Sequence, residues 1–173
     1  MNDPGSDGVI VNLKLSADAQ LDLDLARAGK PIDLNYLSGT IEILSSGALI
    51  VVGVFDSAVL LLPTLDSLAC AIRGLRTVGS MVTVSLVGDT GDMYFLRRQG
   101  TLSPMTIAHR GQRTPPIETQ RFDIAVMDAA SDFLTTIRDA VPASLWNTGT
   151  QDAYFEIATT WPALKNIWNR RRF

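Results

Sequence analysis

Runs of alternating apolar and polar residues, gathered in groups and separated by isolated helical stripes, constrain the fold of this chain most. Alternation at a period of two is typical of half-buried strands, whereas apolar residues at every third or fourth position indicate a helix. Regular alternation of one strand with one helix, which would favour a parallel sheet, is missing. The pattern therefore predicts an α+β fold, with a mostly antiparallel sheet of about eight or nine strands and two or three amphipathic helices packed on it.

The first half of the chain carries most of the clearly alternating segments. In Val9–Leu15 every second residue is apolar, and Asn12 and Lys14 face the other way. Gln20–Leu25 alternates leucine with aspartate and is predicted to be another strand. Three further strands are predicted, at 40–44, 48–55 and 58–62.

The segment Ala48–Leu62 is the most apolar of the chain, and it raises the question of a membrane span. It is 15 residues long, contains Asp56 and is followed by Pro63. Because a transmembrane helix needs about 20 apolar residues, the segment is predicted to form buried strands instead. Its continuous aliphatic part, 48–55, is predicted to be a central strand that is covered on both faces.

Two helices and a helical tail are predicted in the rest of the chain. The first helix carries an apolar stripe at three- and four-residue spacing, formed by Leu65, Leu68, Ile72 and Leu75. Thr64 is its predicted N-cap, and Gly79 its end. Asp128 is predicted to cap the second helix, which Pro142 ends. In the tail, Pro162 either kinks a helix or begins a new one.

Between these helices the chain is predicted to form strands joined by turns. The sequence Gly-Asp-Thr-Gly-Asp at 88–92 has the composition of a hairpin turn. The strands around and after it are predicted at 81–87, 93–98, 101–110 and 117–127. Since no internal repeat or linker divides the chain, we expect a single domain over residues 9–173, after a flexible N-terminus at 1–8.

Composition argues against several classes of function. The 173 residues carry a net charge of −3 and have a pI near 5.0, so the chain as a whole is not drawn to nucleic acid or anionic membranes. The single cysteine, Cys70, cannot form an internal disulfide, and its place in a helical apolar stripe predicts a buried, inert thiol. The N-terminus lacks the basic and apolar segments of a signal peptide. We therefore expect a cytoplasmic protein that does not bind membranes.

Residue types that carry enzyme chemistry are scarce. His109 is the only histidine, and in the absence of a nucleophile signature it is interpreted as a surface side chain rather than as part of a triad. The tripeptide Asp-Thr-Gly at 89–91 matches that of aspartic proteases, but a single copy with polar flanks favours a turn. The sequence predicts no catalytic residue, no metal site and no cofactor, and the protein is expected not to be an enzyme.

A basic stretch in the middle of the chain is the feature that would best suit nucleic acid. Its arginines are Arg97, Arg98, Arg110, Arg113 and Arg121. Arginines together with aromatic side chains on a sheet can bind single strands. Arg97 and Arg98, however, point to opposite faces of a predicted strand, and the net charge is negative. The sequence therefore argues against a nucleic-acid partner.

Six residues are predicted to contact a protein partner. Residues 1–66 hold nine acids and three bases, an imbalance that would complement a basic partner. The predicted contacts from this region are Asp22, Asp24, Asp33 and Glu42. The other two are Trp161 and Trp168 in the tail. The alternatives are that the two aspartates simply form a solvated strand face, and that the two indoles pack the tail helix on the sheet.

The elements over residues 40–142 follow one another in a particular order. A helix at Leu65–Leu75 precedes Met-Tyr-Phe-Leu-Arg at 93–97, and Phe-Asp-Ile-Ala-Val at 122–126 leads directly into the helix of Ala130–Val141. This order resembles that of small bacterial toxin-immunity proteins. The resemblance lies in this order and assigns no role to an individual residue. It implies a cytoplasmic binder that neutralises a partner. Together with the scarcity of reactive residues and the acidic N-terminal region, it predicts a non-catalytic bacterial binding protein that neutralises a toxin by covering its surface.

Two other functions are left open by the sequence. The aliphatic strands, or the helix of Trp161 and Trp168, would also suit a self-assembling structural or accessory subunit of a larger complex. An enzyme that works through aspartate and arginine would need a concave site to hold its substrate.

Overall fold

The computed structural model describes residues 8–53, 58–77, 81–88, 91–97 and 104–169. Within these ranges the chain forms eight strands in two antiparallel sheets, together with five α-helices. The predicted α+β class and the antiparallel pairing are therefore confirmed. The number of helices is larger than the two or three expected, because the segment 20–25, predicted as a strand, is helical and the tail contains two helices.

The elements follow one another from a strand at the N-terminus to a helical C-terminal third. The strands are β1 Val9–Leu15, β2 Ser38–Ser45, β3 Ala48–Val52, β4 Val59–Leu60, β5 Met81–Val84, β6 Met93–Arg97, β7 Met105–His109 and β8 Gln112–Arg113. The α-helices are α1 Ala17–Arg27, α2 Leu61–Thr77, α3 Thr119–Ala140, α4 Thr148–Thr160 and α5 Lys165–Asn169. Three 3₁₀ turns lie at Leu34–Tyr36, Ala143–Leu145 and Pro162–Leu164.

The first sheet is built around β2. This strand pairs with β1 on one side and with β3 and β4 on the other. Ser46 and Gly47 join β2 to β3 with φ angles of 46° and 79°, which are the left-handed values of a two-residue hairpin turn. Within the described residues β3 pairs only with β2, and Leu49 is 49% exposed. The prediction of a central strand covered on both faces is therefore wrong.

The second sheet is a meander whose strands pair in chain order, from β5 to β8. The pairing of β5 with β6 runs from Met81 opposite Leu96 to Val84 opposite Met93, as the hairpin prediction requires. The two sheets are tied together where the Leu60 amide donates to the Val87 carbonyl at 2.7 Å.

The segment Gln20–Leu25 forms part of α1, so its prediction as a strand is wrong. The Ser16 hydroxyl accepts a hydrogen bond from the Ala19 amide at 3.1 Å and thereby caps the helix. Ala19 and Leu23, four residues apart, are buried, whereas Leu21 is 58% exposed. The alternating leucines therefore do not share one face, and the four-residue spacing decides the structure.

The segment 117–127 was predicted to be a strand, and this prediction is also wrong. Helix α3 begins at Thr119, so Asp128 lies inside the helix rather than at its cap. Phe122 and Val126 are fully buried, but Ile124 between them is 48% exposed. Phe122 and Val126 thus extend the buried apolar stripe of α3 towards its N-terminus at four-residue spacing.

The predictions for α2 and for the tail helix are confirmed in their apolar stripes, whereas the ends of the helices lie at other residues than predicted. The leucine stripe of α2 is buried, but the helix begins at Leu61, which leaves Thr64 inside its first turn instead of at the cap. Gly79 lies outside the described residues. In the tail, α4 ends at Thr160 and a new helical segment begins at Pro162, which was the second of the two alternatives.

The helices cover the inner face of both sheets. α3 packs against β1, and α2 packs against β2 and β5. α4 in turn packs on α2, and α5 packs on α3. The buried apolar side chains form one cluster that reaches from β1 to α5. Among the described residues, no helix covers the outer face of the first sheet, where Ile10, Leu44 and Leu49 are exposed.

Candidate binding surface

The outer face of the first sheet carries large apolar side chains that the fold leaves exposed. The strand register places Ile10 opposite Leu44, and Leu44 opposite Leu49. These three side chains are 49%, 38% and 49% exposed, respectively. Cross-strand neighbours on one face lie about 5 Å apart, so the three side chains form a continuous row. We call this row the apolar row.

The residues that alternate with the apolar row face the helices. Val11, Ile41, Ile43 and Ile50 are 7% exposed or less, so the inner face of this sheet is fully covered. A strand must turn every second side chain outward. The apolar row therefore occupies positions at which a one-sided sheet normally carries polar residues.

A charged pair lies on the outer face beside the apolar row. The Lys14 ammonium contacts the Glu42 carboxylate at 2.6 Å, across the β1–β2 pair. The Lys14 side chain is 57% exposed, and that of Glu42 is 23% exposed. An apolar centre with charged residues at its margin is the general composition of a protein–protein interface.

A groove of about 530 Å³ runs along β1 on the side opposite to β2. Every residue from Val11 to Ser16 lines it. The side chains of a strand alternate between two faces, so a continuous run of lining residues means that the strand's main-chain edge forms the wall. The facing residues come from α3 and are Ala129, Asp132, Phe133 and Thr136. Ala17 and Gln20 at the start of α1 complete the lining.

The acids predicted as partner contacts lie on three different elements. Asp22 and Asp24 are exposed on α1, and the Asp24 carboxylate accepts hydrogen bonds from Arg27 and Gln20. Asp33 accepts from Asn35 and from Asn147, and it thus ties the first 3₁₀ turn to the start of α4.

Glu42 is likewise engaged, through the ion pair with Lys14 described above. Three of the four predicted acids therefore have partners within the chain. Asp22 has none among the described residues.

Trp161 is buried at 3% exposure, so it does not offer a contact surface. Its indole Nε1 donates to the Asp123 carboxylate at 2.7 Å. The same carboxylate accepts two hydrogen bonds from the Arg76 guanidinium, both at 2.8 Å, and Arg76 also donates to the Thr160 carbonyl. One carboxylate thus joins α2, α3 and the end of α4. Asp123 was not singled out from the sequence, where nothing distinguishes it from a solvated aspartate.

Trp168 is half-buried and belongs to an aromatic cluster. Its ring lies 5.8 Å from that of Trp146, 5.5 Å from Tyr154 and 5.3 Å from Phe155, measured between centroids. The Tyr154 hydroxyl donates to the Leu164 carbonyl at 2.9 Å. The tail indoles therefore pack against α3 and α4 and not on a sheet. Burial raises the pKa of the Tyr154 hydroxyl above its ordinary value.

Two of the predicted environments of reactive side chains are wrong. His109 is 2% exposed rather than on the surface, since the alternation of β7 turns it inward, and its Nδ1 lies 3.1 Å from the Asp92 carbonyl oxygen. Cys70 is exposed instead of buried, because the buried stripe of α2 passes beside it, and its Sγ accepts a hydrogen bond from Arg73 at 3.0 Å.

The remaining chemical candidates are dispersed. Residues 89, 90 and 98 lie outside the described part of the chain, and Arg97 is buried at 5% exposure. Arg110, Arg113 and Arg121 are exposed. Among the described residues, no group of three or more histidines, cysteines, aspartates or glutamates is arranged to hold a metal ion.

One carboxylate has a perturbed titration. Burial raises the pKa of the Asp66 carboxyl above its usual value of 3.8, and the nearby Glu156 raises it further, whereas Arg73 lowers it. The Oδ1 atom of Asp66 is buried and has no hydrogen-bond partner among the described residues. Asp66 lies in the second turn of α2, away from the groove and the apolar row.

Comparison with known proteins gives no relative. No protein-family model matches the chain, and neither does any curated protein or solved structure. Among the described helices, none is long and apolar enough to span a membrane.

The sequence contains a signal for the apolar row, although Ile10, Leu44 and Leu49 are not among the predicted contacts. Ile10 lies between Val9 and Val11, and Leu44 follows Ile43, so apolar residues occupy both phases of the alternation at these points. In a strand with one covered face, an apolar residue in the outward phase marks an exposed contact.

Proposed function

We propose that this protein is a non-catalytic binding protein that acts by covering the surface of a protein partner, in the manner of a toxin-immunity protein. The apolar row of Ile10, Leu44 and Leu49 is the observation that carries the proposal. Exposed apolar side chains in a continuous row mark interaction sites on soluble proteins.

Apart from the apolar row, the acidic excess of residues 1–66 fits a partner that is basic where it meets the chain. Asp22 is exposed, and its carboxylate forms no ion pair within the described residues. The net charge of −3 adds a weak general attraction for a basic surface. Charged groups at the margin of an interface chiefly increase the association rate and the specificity, while the apolar centre supplies most of the affinity.

The test begins with capture of the partner from native lysate on the immobilised full chain, over a series of salt concentrations. The captured protein is identified, purified and titrated against the wild type, Leu44→Asp and Leu145→Asp. Leu145 is an exposed leucine on a different element, so it supplies the matched control. We expect Leu44→Asp to weaken binding by about 100-fold, because it places a charge at the centre of an apolar interface, and Leu145→Asp to bind like the wild type.

Two results would overturn the proposal. One is that no partner is recovered at any salt concentration, and the other is that Leu44→Asp binds as tightly as the wild type. For the immunity function, a stoichiometric amount of the protein must also abolish the activity of the captured partner. If light scattering instead shows assembly of the chain with itself, and Leu44→Asp abolishes that assembly, the self-assembling subunit replaces the proposed function.

A further inference from the structure

The direction of the main-chain groups of β1 follows from the hairpin between β2 and β3. Ser45 and Ala48 flank the two-residue turn, so they form its hydrogen-bonded closing pair. Odd-numbered residues of β2 therefore bond to β3, and even-numbered ones bond to β1. The Ser16 amide donates to the Ser38 carbonyl at 2.9 Å, which agrees with this assignment.

The odd-numbered residues of β1 consequently direct their main-chain groups away from β2. These residues are Val9, Val11, Leu13 and Leu15. Within the described part of the chain no strand or side chain hydrogen-bonds to these groups. An unpaired strand edge presents donors and acceptors repeated every two residues, or about 6.8 Å, and the main chain of another extended segment repeats at the same distance.

We propose that the groove between β1 and α3 binds an extended segment of a partner protein, which adds to the first sheet as a strand beside β1 and places a basic side chain against Asp132. This inference rests on the proposed function, since it assumes a protein partner. Beyond the proposed function, it specifies which part of the partner is bound and by which interactions. Strand addition beside a helix gives affinity through main-chain hydrogen bonds and specificity through alternate side chains.

The size of the groove sets the length of the segment that it encloses. A strand residue occupies about 3.4 Å along the strand, 4.8 Å between strands and 10 Å across the sheet, or roughly 160 Å³. The groove volume of about 530 Å³ therefore holds about three residues of an added strand. The rest of the segment would continue along the edge of β1 in solvent.

The residues of α3 that line the groove determine which side chains of a bound segment fit into it. Ala129 and Phe133 are mostly buried apolar side chains, one small and one large, whose outer atoms line the groove, while Asp132 between them is exposed. No ion pair engages the Asp132 carboxylate within the described residues. Lys14, the cation nearest along the groove wall, is held by Glu42. A segment with apolar residues at alternate positions and one lysine or arginine matches this lining.

The test uses a displayed library of random 12-residue peptides, selected on the full chain. We expect the enriched peptides to alternate apolar residues and to contain a basic residue. Synthetic copies are then titrated by fluorescence anisotropy against the wild type, Leu13→Pro and Leu13→Val. Proline at residue 13 removes an amide that points away from β2, so it blocks the added strand and leaves the β1–β2 pairing intact. We expect a loss of about tenfold or more for Leu13→Pro and an affinity close to wild type for Leu13→Val.

Two further variants keep the test decisive if Leu13→Pro does not fold. Thr136→Arg fills the groove from α3 without touching the sheet, and we expect it to abolish peptide binding. Asp132→Asn should weaken the peptides several-fold and reduce the dependence of their affinity on salt.

Three results would overturn the inference. They are the absence of any enriched peptide, unchanged binding by Thr136→Arg, and self-association of the wild type that Leu13→Pro abolishes, since a second copy would then occupy the edge. If this test fails but Leu44→Asp still weakens binding of the captured partner, the proposed function stands. Only the added strand is then ruled out.

Discussion

The first sheet and the helical layer of α2, α3 and α4 use their polar groups in different ways. In the sheet, Glu42 pairs with a lysine on the open face, where both side chains reach solvent. In the helical layer, Asp123 is 17% exposed and accepts hydrogen bonds from Arg76 and Trp161. The helical carboxylate thus holds elements together, whereas the sheet carboxylate lies at the margin of exposed apolar side chains.

This difference indicates which part of the molecule is free to bind. Residues that satisfy one another across elements are fixed by the fold, and changing them alters stability. Residues on the outer face of the sheet contribute little to stability, so their chemistry is available to a partner. We therefore expect substitutions in the helical layer to unfold the protein and substitutions on the outer face to leave it folded.

The largest effect is expected for a pair of neighbouring apolar residues in α3. Phe122→Ala should lower the free energy of unfolding by about 3–5 kcal/mol, because its ring is fully buried and packs edge-to-face on Phe95 at 5.3 Å. Ile124→Ala should cost less than about 1 kcal/mol, since Ile124 is 48% exposed. Urea denaturation measures both. Equal losses would contradict the helix and favour a strand in which both residues face inward.

A smaller effect is expected from the Asp123 carboxylate. Asp123→Asn removes a charge that accepts from Arg76 and Trp161, so we expect a loss of about 1.5–3 kcal/mol in the free energy of unfolding. Glu42→Gln is the matched control in the sheet and should cost less than about 1 kcal/mol, since its ion pair is exposed. If the two substitutions cost the same, the contrast between the two regions does not hold.

The smallest effect is a change in the pH dependence of stability. Because the pKa of Asp66 is raised in the folded state, the folded protein holds this proton more tightly than the unfolded chain does. The contribution of Asp66 to stability therefore falls as the pH rises from the ordinary value of 3.8 to the raised one. Asp66→Asn should remove this decrease. The urea midpoint is measured as a function of pH across that range for the wild type and for Asp66→Asn. We expect the two slopes against pH to differ, and identical slopes would contradict the raised pKa.

The sequence predicts elements whose apolar spacing fits only one period. The stripe of α2 is of this kind and is confirmed. The strands around Val11 and Ile43 are also confirmed, although Ile10 and Leu44 place apolar residues in the outward phase of their alternation. The segments 20–25 and 117–127 contain apolar residues at both two- and four-residue spacing. Residues 20–25 and 119–127 lie inside longer helices, α1 and α3, whose buried residues follow the four-residue spacing. The prediction from the two-residue alternation was therefore wrong.

The candidate surface was less predictable than the fold. Asp22 is exposed, but on a helix rather than on the predicted strand. Trp161 is buried, and its indole donates to the partly buried carboxylate of Asp123, 38 residues away. The free edge of β1 depends on which strand pairs with β2, and that pairing joins segments about 30 residues apart. Such long-range contacts leave no local pattern in the sequence.

Amide hydrogen exchange along β1 in the dilute protein shows whether the first sheet has a free edge beside its exposed outer face. We expect an alternation in which the amides of Val11 and Leu13 exchange quickly, while those of Asn12 and Lys14, which bond to β2, exchange slowly. Equal protection of all four amides would contradict it, because the edge of β1 would then already be paired.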